Sequence, residues 1–180
     1  MGEASRRSRA RAQILAGEPR CIYCGTRNDG LVSLTIEHMP PISMFRSRDR
    51  VSGMEFACCE RCNVGTKGAD VAAACLSMIS RHDEPGDWKI DTMVRLLPAL
   101  DRFAPGLRTE MVNSSQRQRW LWTPSGLIQP HVEFSADGPI VQAYLSVFAA
   151  KLAMALYREH IGAALPIDGA VFTTHYLIRA

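Results

Sequence analysis

The chain lacks any uninterrupted run of about 18 apolar residues, the length a membrane-crossing helix needs, so no membrane span is expected. Its basic N-terminus is not followed by an apolar stretch, which argues against a secretory leader and for a cytoplasmic protein. Internal repeats and low-complexity segments are missing as well, which sets aside repeat architectures. His131, His160 and His175 are dispersed, with no x2 or x3 pairing, so none of them reads as a metal ligand. What is present is ordinary globular composition: 47% hydrophobic residues in 180 positions. That suits one compact domain, or a small motif domain with an extension.

Net charge is +3, and it is unevenly placed. Residues 1–68 hold 11 Lys/Arg against 7 Asp/Glu, a balance of +4, while residues 69–180 hold 10 against 11, a balance of −1. An excess of positive charge on the first part is what a phosphate backbone would favour, and a solvated charged surface accounts for it too. Arg6, Arg7, Arg9 and Arg11 form one cluster and Arg46, Arg48 and Arg50 another. Each reads either as a set of phosphate contacts or as solvent-facing charge.

Six cysteines are present, and four of them fall into two C-x2-C knuckles, Cys21/Cys24 and Cys59/Cys62. Each knuckle turns two sulfurs toward one spot, and two knuckles supply the four thiolates that tetrahedral Zn²⁺ prefers. The spacing favours a metal over disulfides. Cys58 and Cys75 stand outside this set: Cys75 reads as a small buried residue on a helix, and Cys58, next to Cys59, could replace it only in a poorer C-x3-C match, so its substitution is expected to do little. Between the knuckles, an alternating run from Leu31 ends in Glu37-His38, followed by Pro40 and Pro41, which stop a strand. Asn63 and Lys67 follow the second knuckle. A zinc ribbon requires neither the Glu-His pair nor the asparagine.

That order of C-x2-C, strand ending in Glu-His, C-x2-C-Asn and Lys-Gly resembles the HNH nuclease family over about Arg20 to Ala74. The resemblance implies a ββα-metal core, a hairpin followed by a helix, inside an α+β fold. It implies His38 as general base, Glu37 and Asn63 as catalytic residues holding a catalytic Mg²⁺ or Mn²⁺, and Cys21, Cys24, Cys59 and Cys62 around a structural Zn²⁺. It also implies hydrolysis of phosphodiester bonds in nucleic acid, DNA ahead of RNA. The chain departs from the pattern in two places. Met54 or Glu55 stands where a middle asparagine is expected, and Gly65 lengthens the step from Asn63 to Lys67, bringing Asp70 in as a further acidic group. The competing expectation is a non-catalytic zinc module that binds nucleic acid or a partner protein.

The remaining pattern predicts a basic arm over 1–20, the zinc motif over 21–83 and a helix-rich α+β extension over 84–180, with Asp83-Glu84-Pro85-Gly86 as the break. Residues 68–81 and 88–103 have helical spacing, the latter with Ile90, Met93, Val94, Leu97 and Leu100 on one side and Pro98 as a kink or restart. His82 is expected to cap the first of these. Residues 117–134 read as a hairpin whose Trp120 and Trp122 are expected in a core rather than on a stacking platform with Arg117 and Arg119. Residues 140–160 form the most apolar helix, expected to be buried on most faces and to end at Gly162. Short strand-like stretches such as Ala170 to Thr174 close the chain, and this half is where a partner protein or second copy would bind.

Overall fold

A computed structural model describes residues 3–29, 31–45, 53–79, 87–114, 118–122, 125–132 and 136–174. The sequence expectations placed on Arg46, Arg48, Arg50, His82, the 83–86 break, Arg117 and His175 lie outside those residues. So do the side chains of Arg6, Arg7, Ile90, Arg119 and His131. The fold is α+β: helices around two small antiparallel two-stranded sheets.

Helix α1 (Glu3–Gly17) precedes strand β1 (Leu34–His38), and β1 pairs with β2 (Glu55–Cys59). The register sets Leu34 against Cys59, Thr35 against Cys58, Ile36 against Ala57, Glu37 against Phe56 and His38 against Glu55. Side chains alternate along a strand, so Leu34, Ile36 and His38 share one face with Cys59, Ala57 and Glu55. Thr35 and Glu37 share the other with Cys58 and Phe56. The first face meets α1, whose Leu15 packs on Leu34, Ala57 and Cys59. The second meets the long helix from the chain's far end, where Phe148, Leu152 and Ala155 pack against Ile22, Met39 and Phe56.

The helix predicted after the second knuckle is divided. Helix α2 (Glu60–Gly65) carries Cys62 and Asn63, and α3 (Lys67–Ile79) starts after Thr66, whose hydroxyl donates to the Cys62 carbonyl at 2.7 Å. A side chain that satisfies a carbonyl at a helix end favours stopping there. Helices α4 (Asp87–Phe103) and α5 (Leu107–Ser114) pack with α3 around Val71, Ala72, Cys75, Leu100, Leu107 and Met111. Helix α4 runs through Pro98 without a restart, and its inner face is Met93, Leu96 and Leu100; Val94 faces solvent instead. Gly68 permits the close approach of α3 to α4, since a Cβ there would meet the Phe103 carbonyl oxygen at 2.2 Å.

The second hairpin, β3 (Gln118–Trp122) with β4 (Ile128–Val132), forms as expected, but its tryptophans do not enter a core. Trp120 is 66% and Trp122 73% exposed, because the hairpin packs closely on no other described element.

Helix α6 (Pro139–Ile161) is the pillar of the far half. The carboxylate of Glu110 caps it, accepting from the backbone N–H groups of Ile140 and Val141 at 2.9 and 2.8 Å. An acid at that end also complements the helix dipole. Gly162, at φ +79°, closes it as predicted. Its burial is less complete than its composition suggests: Val141, Lys151 and Ala155 are buried, whereas Val147, Leu156 and Ile161 are exposed. Among the described residues its covered side faces α3, α5 and the first hairpin. By length and composition α6 would suffice to cross a membrane, unlike the expectation from uninterrupted runs. The segment 170–174 forms no strand, and Phe172 is almost fully exposed.

Candidate functional site

The first knuckle is a tight turn. The Cys21 carbonyl accepts from the N–H of Gly25, which sits at φ +70°, and the Cys21 N–H donates to the Thr26 carbonyl at 2.8 Å. Glycine adopts that left-handed backbone without steric cost. The Ile22 N–H donates to Ala57 on β2, which docks the knuckle on the hairpin. The second knuckle spans the end of β2 and the start of α2. Folding therefore delivers the Sγ atoms of Cys21, Cys24, Cys59 and Cys62 to within 4.8 Å of one another, with Cys24 and Cys59 at 3.7 Å. Sulfurs at the corners of a Zn²⁺ tetrahedron stand about 3.8 Å apart, given Zn–S bonds near 2.3 Å. The thiol set fits zinc, and no described cysteine is in a disulfide.

Charge inside this cluster favours a cation. The Cys58 thiol beside Cys21 lowers the pKa of Cys21 to about 4, against the opposing effect of burial and helped by neighbouring backbone N–H groups. Burial pushes Cys59 and Cys62 upward, with the Cys21 charge adding to both. One thiolate thus opposes the next, and a dication relieves all four together. Cys58 is fully buried behind the cluster and donates to the Cys59 carbonyl at 3.4 Å. It is no ligand, as the spacing indicated, yet it touches one.

His38, expected as general base, and Glu37 and Asn63, expected around a hard cation, are not brought together, and strand alternation parts His38 from Glu37. His38 lies on the α1 face, half-buried, with its Nδ1 3.1 Å from Glu55 Oε1. A cleft of about 280 Å³ is lined by Glu55 and Phe56 of β2 together with Gln13, Ile14, Glu18 and Arg158. Glu37 lies on the opposite face, buried, where the ammonium of Lys151 from α6 reaches its Oε1 at 2.8 Å. Lys151 also meets Asp70 Oδ2 at 2.5 Å and stands 5.5 Å over the Tyr23 ring. Asn63 is on that second face too, but its amide donates to Thr35 Oγ1 at 3.1 Å, and the Thr35 hydroxyl in turn donates to the Cys58 carbonyl. Thr35 is three residues from His38, roughly 10 Å along a strand. Lys67 is exposed and lies over the Phe103 ring at 4.2 Å.

Burial dominates the electrostatics of the second face. It raises Asp70 to about 6 even though Lys151 pulls the other way, and Glu37 adds to the rise. Tyr23 is pushed far up, first by burial and then by the Glu37 charge, so it stays a phenol. The Asp70 Oδ1 and Tyr23 hydroxyl atoms are buried without a hydrogen-bond partner. A Mg²⁺ or Mn²⁺ held by Glu37 and Asn63 does not fit these residues as they stand. The Glu37 carboxylate already faces a cation, and the Asn63 amide is turned to Thr35.

Glu55 and Lys151 are the residues that sequence reasoning missed. Glu55 was legible only as the occupant of the middle motif position, and its role follows from cross-strand register with His38. No family model matches the chain, and neither does any curated protein or solved structure.

Proposed function

We propose that the motif half is the catalytic element of an HNH-type endonuclease, hydrolysing phosphodiester bonds in nucleic acid with His38 as general base. The observation that supports this most is the His38–Glu55 pair. A carboxylate on Nδ1 fixes the ring orientation and makes the imidazole a better proton acceptor, as orienting acids do for catalytic histidines. Met54 or Glu55 stands where the family pattern has its middle asparagine, and of the two it is Glu55 that meets His38, which supports reading it as a physical substitute. An imidazole with an unperturbed pKa of about 6.5 suits proton removal from water near neutral pH. The +4 balance of residues 1–68 and the exposed Arg9 and Arg11 of α1 supply charge for a phosphate backbone. The zinc cluster holds the far end of the same hairpin and so sets where His38 stands.

The test is His38→Ala beside Glu55→Gln, assayed on plasmid, single-stranded DNA and RNA. His38→Ala should lower the cleavage rate by about 10²–10⁴-fold with zinc content and nucleic-acid binding kept. Glu55→Gln should lower it less and shift the lower limb of the pH–rate profile. Equal cleavage by His38→Ala, or none by the parent chain on any substrate, overturns the reading. A second reading, a zinc module that binds nucleic acid or a partner without cutting, draws support from the engagement of Glu37 by Lys151 and of Asn63 by Thr35.

A further inference from the structure

At the second face of the first hairpin, Glu37 of β1 and Asp70 of α3 converge on one point, the arrangement that ordinarily gathers a hard cation. Here that point is filled by the chain itself. We propose that Lys151 is the permanent cation of Glu37 and Asp70, so that this pair takes no Mg²⁺ or Mn²⁺ and instead fastens α6 to the zinc motif. This inference does not depend on the nuclease reading.

Several independent features support it. The Lys151 side chain is 4% exposed and that of Glu37 6%, with 2.8 Å between ammonium and carboxylate. An ammonium is extracted from water at a cost of several kcal/mol, so its placement there needs both acids. It supplies three N–H donors, and two of them are met by Glu37 Oε1 and Asp70 Oδ2. The Tyr23 ring lies beside it as a further neutral surface for positive charge. The backbone that carries Lys151 is held in place. Leu152, the next residue of α6, and Ala155, one turn further along, are packed with Ile22, Met39 and Phe56, in the same core that holds β2. Moving that backbone away from the pair would mean undoing that core.

The charge count also distinguishes the two occupants. Glu37 and ionised Asp70 together carry −2, and Lys151 leaves −1, with Asp70 Oδ1 lacking a partner. A divalent ion would neutralise the pair fully, but only if the +1 of Lys151 were first removed. The lysine therefore excludes a dication both by volume and by repulsion.

Mn²⁺ binding to the zinc-loaded full chain, followed by electron paramagnetic resonance and by unfolding midpoint, tests the proposal. The parent chain should show no Mn²⁺ site that depends on Glu37, and its midpoint should not respond to millimolar Mn²⁺. Lys151→Ala empties the point, so it should acquire a Mn²⁺ response that Lys151→Ala with Glu37→Gln and Asp70→Asn lacks. Should Lys151→Ala fail to fold alone, Mn²⁺ should restore its folding. A parent chain that binds one Mn²⁺ and loses it on Glu37→Gln overturns the proposal. So does a Lys151→Ala chain, folded or not, that is indifferent to Mn²⁺. Cleavage is not the readout, so failure of the nuclease reading leaves these outcomes distinct.

Discussion

Two groups of would-be ligands lie along the same short strand pair, and they are finished in opposite ways. At one end four thiols converge in a set that could hold a zinc ion. On the other face two carboxylates converge, and a lysine from 114 residues further along the chain completes them. The thiol group depends on something from outside, whereas the acid group is closed within the fold. The contrast follows from backbone reach. Local turns can bring cysteines together at either knuckle, but only the long helix α6, laid across the hairpin, can carry an ammonium to Glu37. A metal held by the thiols would organise the hairpin locally, whereas Lys151 ties it to the rest of the chain.

The largest way to break the contrast is at the thiol end. Cys59→Ser should remove a ligand that is also the last residue of β2 and the residue preceding α2. Binding free energy of a structural zinc is about 10–16 kcal/mol in zinc-finger peptides and counts directly toward folding. Metal analysis should find about one zinc per parent chain and loss of it in Cys59→Ser, together with loss of cooperative unfolding. A Cys59→Ser chain that folds as well as the parent would place the organising role elsewhere.

A smaller effect sharpens the same end. Cys58 is outside the ligand set, which on spacing alone predicts a silent replacement. Its complete burial, its place beside Cys21 and its hydrogen bond to the Cys59 carbonyl argue otherwise. Groups that support a metal ligand typically contribute tenfold or more to metal affinity. Cys58→Ala should therefore fold with its zinc, lose about 1–2 kcal/mol of stability, and surrender the metal to a chelator sooner. Equal chelator resistance in the two chains would return Cys58 to the role of simple packing.

Much of this was legible in the sequence where the cause is local. Knuckle spacing marked the four thiols, the period-two run ending before Pro40 marked β1, and period-3.6 patterns marked α3, α4 and α6. Glycine marked the end of α6 through its left-handed backbone. What sequence did not disclose depends on pairing across distance. Glu55 meets His38 only because the hairpin register sets them opposite, and Lys151 meets Glu37 only because α6 crosses that face. Trp120 and Trp122 have the pattern of a core strand, but burial requires a neighbour, and the second hairpin has none packed closely among the described residues. The opposite orientation of Glu37 and His38 follows from strand alternation itself. Adjacency in the motif had suggested a shared site, and the pleat separates them.

The smallest effect separates the two ends by pH. Asp70 is raised to about 6 by burial, from an ordinary value of 3.8. Between those values the folded chain holds a proton that the unfolded chain has lost. Its contribution to stability is therefore full below the unfolded value and is lost as pH rises through about 6. Asparagine mimics the neutral acid and cannot titrate, so the comparison is between the parent and Asp70→Asn, with the zinc thiolates common to both. The parent should gain on the variant by about 1 kcal/mol as pH falls from 7 to 5, from a pKa shift of roughly two units acting over half its range. Urea unfolding of both chains across that window reads the difference directly. Parallel pH profiles would mean that Lys151 holds Asp70 ionised throughout, and the acid pair would then be as firmly closed at pH 5 as at pH 7.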